Sequence, residues 1–487
     1  MEETNQNVRA AEVGQSAEPG AIKTQSEYGK VVELALEVGA GLLSSGGSVS
    51  RVETAVDRIC RAYSAVDANI VALPSMIMTS IRTRDGKQHT YIKRVYSTSN
   101  NLYKLEKYNQ LSRDICREKC PIDEALAKCR ELGQSKLRNV WVTMIGAMLL
   151  AGLYSVLFGG TIADVLPAFA VALCMALLGE VLARRSLNTY ASTFLQSLTG
   201  GVLSVLLCKL LNVIGVPTQG SYVIIGTIMT LIPGLLTTNA VRDMFTGDLM
   251  SGTFLLLNGL LLAVVIAAGY GVSILALSPI ADFWKAELPY IGWYNIPESS
   301  ARLFESLMIF ISGSLGSVAV CMFFNLNFKR MGWAVLTSVI ALAVYVVLYE
   351  MFDPEYVFLI VLIPTLCAGI MSEILARKIR IPATLMLVPA IIAFVPGSSL
   401  YYTMEAMVSA STATYTSPAE PGITCLLTWL GIAVGICTTT VIFHLFSPVL
   451  YRRNIFARKN KLGDPRKSPR SEIATADIKA DNKHDGK

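Results

Sequence analysis

Residues 139 to 451 form a succession of long apolar runs, while residues 1 to 138 and 452 to 487 are as polar as a soluble protein. A helix needs roughly 20 apolar residues to cross a bilayer. Ten runs qualify, near 139–159, 162–183, 193–215, 222–240, 252–277, 304–327, 332–351, 355–375, 383–402 and 423–447. The fourth and ninth are the weakest, and each is interrupted by Pro-Gly, at Pro233-Gly234 and Pro396-Gly397. Proline removes a backbone donor and breaks a helix. Broken backbone at membrane depth is tolerated only where protein buries it or it lines a cavity. Paired interruptions in two halves of a chain therefore point to a transporter binding site. The alternative is two ordinary proline kinks in unrelated spans.

The polar first part carries a different rhythm. Residues 1–26 lack periodicity and are expected to be a disordered tail. Residues 27–137 are expected to fold as an α+β domain. Val31, Leu34, Leu36, Val38 and Leu42 recur at helical spacing over Tyr28 to Ser44, and Ser44-Ser45-Gly46-Gly47 breaks the pattern. A second amphipathic helix is predicted over Ser48 to Tyr63, with Ser48 or Ser50 as its cap. Strands are predicted at Ala68–Leu73, Ser75–Arg84 and Gln88–Val95, the last two joined by a turn at Asp85-Gly86. Helices are predicted again at Asn101–Glu118 and Asp123–Leu132.

Charge orients the spans. One set of boundaries carries Lys136, Arg138, Arg184, Arg185, Arg242, Lys329, Arg330, Arg377, Lys378, Arg380, Arg452 and Arg453. The opposite set carries Asp164, Asp282, Lys285, Glu287, Glu298, Arg302, Glu350, Asp353, Glu355, Glu405 and Glu420, with Lys209 expected to snorkel toward that side. The Lys/Arg-rich set is expected to face the cytoplasm, with both termini inside and the protein in the plasma membrane. The net charge of +6 is thus a topology signal and not a nucleic-acid footprint. No apolar signal segment follows Met1. The predicted architecture is a membrane all-α protein of about ten transmembrane helices. It comprises a first five-helix half at 138–277, an external loop at 278–303, a second five-helix half at 304–450 and a basic cytoplasmic tail at 451–487. If the two halves are related, an odd number of spans per half forces opposite orientations, so inverted repeats with the two breaks on opposite faces are expected, unrelated spans being the alternative.

Thr237, Thr238, Asn239, Arg242, Asp243 and Asp248 follow the first break. Ionisable groups near membrane depth are costly and mark ion or substrate paths. An Arg beside a carboxylate could hold a zwitterionic or acidic solute, and an Asp there could exchange a proton. The plainer alternative is a solvated loop in which Arg242 is only a positive-inside charge. Glu180 and Glu373 precede Leu-Ala-Arg and are expected to pair with the arginine that follows, a proton relay being the alternative. Glu405 stays open between external loop and site. Cys116 and Cys120 would share a helical face, yet only His89, His444 and His484 exist, so free structural thiols are expected and no metal. No phosphate loop or Ser-His-Asp order is present, so neither an enzyme nor a cofactor is expected.

The stretch LALEVGAGLLSSGGSVSRVETAVDRICRAYS, Leu34 to Ser64, resembles the N-terminal signature of the threonine/serine exporter family, through Gly39, Ser45, Gly46, Ser50, Arg51, Glu53 and Arg58. IPG…NAVRD…GD…SG from Ile232 to Gly252 is similar to the family's central motif, and LVPA…VPG from Leu387 to Gly397 to its C-terminal domain. The resemblance implies ten spans, cytoplasmic termini and export of threonine and serine driven by the proton motive force. It also implies that related two-part systems export dicarboxylates such as succinate. Arg51 and Glu53, at i and i+2, do not face each other on a helix. They are expected to cap or bridge within the first domain, a substrate role being the alternative. The expected partners are a small-molecule substrate, protons and the bilayer, and homo-oligomerisation stays open. From another class, the polar domain could make the protein a membrane-bound sensor or enzyme; an uncoupled channel is the third reading.

Overall fold

The computed structural model describes residues 25–461 apart from 64–66, 83–87, 97–100, 119, 136–138, 246, 278–297, 409–414 and 416. The expected tail at 1–26, the Asp85-Gly86 turn, most of the 278–303 loop and the end of the basic tail therefore lie outside the described residues.

Helices α1 (Gln25–Ser44) and α2 (Val49–Ala62) come first, followed by strands β1 (Asp67–Leu73), β2 (Met76–Arg82) and β3 (Gln88–Arg94) and by helices α3 (Leu102–Glu118) and α4 (Ile122–Gln134). The strands form one antiparallel sheet in the order β1-β2-β3, with Ala72 opposite Ile77 and Ile77 opposite Lys93. Alternation along β2 buries Ile77, Thr79 and Ile81, as a pleated strand with one covered face requires. Helix α2 buries Val49, Val52, Val56 and Ile59, a helical repeat that leaves Ser50, Arg51, Thr54 and Arg58 on its other side. A side-chain carbon at Gly39 would stand 2.8 Å from Val56 Cγ2, so α1 and α2 touch too closely there for a larger residue.

The apolar region builds α5 (Val140–Leu157), α6 (Ile162–Arg184), α7 (Thr189–Val213), α8 (Gly220–Ile228), α9 (Gly234–Phe245) and α10 (Leu249–Leu277). It continues with α11 (Glu298–Phe323), α12 (Phe328–Met351), α13 (Val357–Ile379), α14 (Thr384–Ile391), α15 (Gly397–Val408) and α16 (Ala419–Lys461). Among the described residues eight helices are long and apolar enough to cross a membrane. They occupy eight of the ten predicted positions. The other two are the Pro-Gly segments. Thr384–Phe394 and Gly397–Val408 make a pair bent by 42°, a ninth crossing if counted as one span. The fourth run does not form a continuous span. Helix α8 stops at Ile228, because the Thr230 and Leu231 amides turn back onto the carbonyls of Thr227 and Ile228 at 3.1 and 2.9 Å. Pro233 then has no amide to continue the ladder. Two boundaries also shift: α11 starts inside the segment expected as a loop, and α16 continues to Lys461, into the segment expected as a tail.

The placement of the breaks on opposite faces is corrected. They pack against each other. A side-chain carbon at Gly397 would lie 2.5 Å from Met229 Sδ and 3.4 Å from Ile232 Cδ1; one at Gly234 would lie 3.4 Å from Ile392 Cγ1. Gly397 leaves room for Met229, whereas a side-chain carbon at Gly234 would make only ordinary contact with Ile392.

One hydrophobic core runs without interruption from Leu34, Val56 and Leu105 of the α/β layer to Leu150, Val320 and Leu387 of the membrane helices. Without a hydrophobic drive between helices in lipid, close backbone packing holds them. Gly146 shows this: a side-chain carbon there would sit 2.4 Å from the Phe323 amide nitrogen, so α5 and α11 are in backbone contact. Gly146→Ala must push α11 away and is expected to lower the detergent-solubilised Tm by several degrees. Gly332→Ala, with nothing within 4 Å of the added carbon, should leave it unchanged. Equal melting curves for the two variants would contradict this packing.

Candidate functional site

The turn between α1 and α2 docks onto α9. Gly46 adopts φ 92°, a left-handed conformation that glycine takes without steric cost. Its carbonyl accepts a hydrogen bond from Asn239 Nδ2 at 3.0 Å. The Val49 amide, first in α2, donates to Asp243 Oδ2 at 3.3 Å. Asn239 and Asp243 are four residues apart and so share a face of α9. Asp243 is fully buried and Asn239 nearly so. Ser48 holds the N-cap position of α2, but its hydroxyl makes no capping bond. The expected local cap is thus replaced by a carboxylate nearly two hundred positions away, placed where the positive end of a helix favours an anion.

Arg242, on the neighbouring side of α9, faces Glu373 of α13, with Nη2 to Oε1 at 3.5 Å. Arg242 is 9% exposed, and its Nη1 has no hydrogen-bond partner. Glu373 therefore meets an arginine from another segment, whereas Glu180 meets Arg184 of its own helix at 3.3 Å, as expected. Asp248 accepts from the Ser251 amide at 3.1 Å and caps α10, a structural task that accounts for it without chemistry. Glu53 accepts from the Ala72 amide at 3.0 Å and ties α2 to β1. Pro233, Gly234, Pro396 and Gly397 mark the crossing described above. The side chains of Thr237 and Thr238 lie outside the described residues. Glu405, on α15, is buried and accepts from the Tyr401 hydroxyl at 3.1 Å.

Between the α/β layer and the membrane helices lies a cavity of about 1000 Å³. The outward side of α2 contributes Ser50, Arg51 and Arg58, and α3 contributes Arg113 and Arg117. The opposite wall carries Arg242, Arg330, Arg377 and Arg380. Burial, then the nearby guanidinium of Arg242, lowers Arg51 to about 10. Arg113 donates to the Arg380 carbonyl. Arg330 and Glu106 pair at 2.9 Å, joining α12 to α3. Glu106, Arg113 and Arg117 escaped the sequence reading, although their spacing places them on one side of α3. In the sequence Arg330 and Arg380 read only as topology charges, and Arg377 as a topology charge and the expected partner of Glu373.

Among the described residues no cluster of three or more His, Cys, Asp or Glu side chains could hold a metal. Burial, with Asp57 and Glu37 respectively nearby, pushes the Cys60 and Cys129 thiols up to about 12. The thiolate is the reactive form, and both groups stay protonated at neutral pH. Iodoacetamide at neutral pH is expected to leave Cys60 and Cys129 unmodified until the chain is denatured, as read by peptide mass spectrometry. For the Glu106–Arg330 pair, Glu106→Arg is expected to cost about 1 to 3 kcal/mol by stranding a partly buried charge. The double exchange with Arg330→Glu should recover most of that in thermal melts.

Comparison with known proteins follows this geometry. Family models of the threonine/serine exporter match residues 33–277 and 309–442, covering both Pro-Gly segments and the α2 motif. The chain is 25% identical over 408 residues to the threonine/serine exporter of Corynebacterium glutamicum, spanning 81% of this chain and 79% of that protein. No solved structure matches the chain. With its crossed broken helices, its buried Asn-Arg-Asp set and these matches, the chain belongs to the threonine/serine exporter family, a family of multi-pass membrane transporters.

Proposed function

We propose that this protein exports threonine and serine across the plasma membrane, with the α/β layer on the cytoplasmic side. The observation that carries this reading is the buried set at the junction: Asn239 and Asp243 bound to the α1–α2 turn, and Arg242 facing Glu373 beside them. A zwitterionic amino acid needs a cation for its carboxylate and an anion for its ammonium. Arg242 and Glu373 provide one of each, 3.5 Å apart. Binding between them would exchange the internal pair for two charge-assisted contacts of the same kind. The arginine-rich boundaries support a cytoplasmic position for the α/β layer.

Asp243 couples transport to protons in this reading. Asp243 is fully buried and accepts the Val49 amide at 3.3 Å, and a carboxylate withdrawn from water is a candidate for proton exchange. Protonation would remove the charge that caps α2 and so loosen the turn from α9. That would open the crossing of the two broken segments toward the cytoplasm. Glu405, buried beside Tyr401 on α15, is the candidate for the corresponding proton exchange at the other side. A dicarboxylate substrate such as succinate is the second reading, favoured by the arginines around the cavity.

Efflux of preloaded radiolabelled threonine, serine and succinate from cells with and without the protein separates the two. Threonine and serine efflux is expected to rise several-fold and to collapse with an uncoupler; a rise for succinate alone would select the second reading, and no rise for any would remove both. Asp243→Asn should reduce export at least tenfold while the protein still reaches the membrane. Arg242→Gln should act chiefly by raising the substrate concentration needed for half-maximal export. Wild-type efflux from the Asp243→Asn variant would end the assignment of that residue.

A further inference from the structure

The cavity between the α/β layer and the helices is larger and more charged than threonine or serine requires. Small-molecule pockets span about 300 to 1,000 Å³, and this one, at about 1000 Å³, stands at the upper end. Among its described lining residues are eight arginines and three carboxylates, an excess of five positive charges. No lysine is among them. Guanidinium forks match planar or tetrahedral oxyanions by paired hydrogen bonds, which an ammonium does not.

Among the described lining residues carboxylates are outnumbered by arginines. Glu106 is committed to Arg330 at 2.9 Å, and Glu373 is the carboxylate nearest Arg242, at 3.5 Å. Arg242 is more than nine-tenths buried, lines the cavity and keeps an Nη1 without a hydrogen-bond partner. Such a donor costs free energy unless something accepts from it.

We propose that this cavity binds a multiply charged, phosphate-bearing anion. Its oxyanion groups bridge the arginines of α2 and α3 to those of α12 and α13. A dicarboxylate would answer two of the five excess charges, whereas a chain of phosphates answers most of them. Because the two walls belong to different layers, the bound anion clamps the α/β layer onto the membrane helices. It would thereby control the same junction that Asp243 and Asn239 hold. The ligand could be a free soluble phosphate compound or the phosphate headgroup of a lipid; the recognising chemistry is shared.

The test uses the full chain in nanodiscs of phosphatidylcholine, titrated with inorganic tripolyphosphate by calorimetry. One saturable site is expected. Arg117→Gln with Arg377→Gln, one change on each wall and both at exposed positions, should weaken it at least tenfold. Arg61→Gln with Lys128→Gln removes the same charge outside the cavity and should change it less than twofold. Added phosphatidylglycerol that competes with tripolyphosphate in the wild type, but not in the wall variant, identifies a lipid headgroup as the source. Absence of competition identifies a soluble phosphate compound. No saturable binding, equal weakening in both double variants, or tighter binding of succinate than of tripolyphosphate would overturn the proposal. The outcome does not depend on export, since binding is read in the absence of any substrate gradient.

Discussion

A carboxylate withdrawn from water must find donors or lose its charge, and the position of Asp243 is governed by that constraint. Its donor is the first amide of α2, at the positive end of a helix whose own N-cap hydroxyl makes no bond there. The interaction does two things at once. It satisfies an end of α2 that the local sequence leaves open, and it holds the α1–α2 turn against α9, where Asn239 adds a second bond to Gly46. The apolar side of α2 then packs on the sheet, and its polar side is turned toward the membrane helices. The cavity exists because this one docking contact fixes which side of α2 faces inward.

The membrane part depends on a related economy of backbone groups. In lipid every amide and carbonyl needs a partner, so an interrupted helix can survive only inside protein. The two Pro-Gly segments meet this need by burying each other, with Met229 and Ile232 against Gly397 and Ile392 against Gly234. Their crossing places the start of α9, and so the Asn-Arg-Asp set, directly beside the most irregular backbone in the bundle. Contact between α5 and α11 at Gly146 gives that crossing a rigid surround. A polar site beside broken helices is the arrangement in which transporters hold their substrates.

Charge at the layer boundary has a double use. In the sequence, Arg330, Arg377 and Arg380 fall at span boundaries, where positive charge is expected to set orientation. Folding gathers the same residues with Arg51, Arg58, Arg113 and Arg117 around one cavity. Among the described lining residues Glu106, Asp114 and Glu373 are the carboxylates set against them.

Much was legible in the chain itself, for a physical reason in each case. Membrane spans are long enough for hydropathy to mark them, and eight runs appeared where the apolar pattern placed them. Alternation found the three strands to within a residue or two, because a one-sided sheet must bury every second side chain. The Pro-Gly pairs announced broken helices, and the residues after the first one announced a polar site. Tertiary structure decided the rest. That the breaks touch, that Asp243 caps α2, that Glu373 answers Arg242 and that eight arginines share one cavity are all contacts between segments distant in the chain. Local propensity carries no information about which distant partner a buried charge will find. Spacing shows which residues share a helix face, and only packing shows what that face meets.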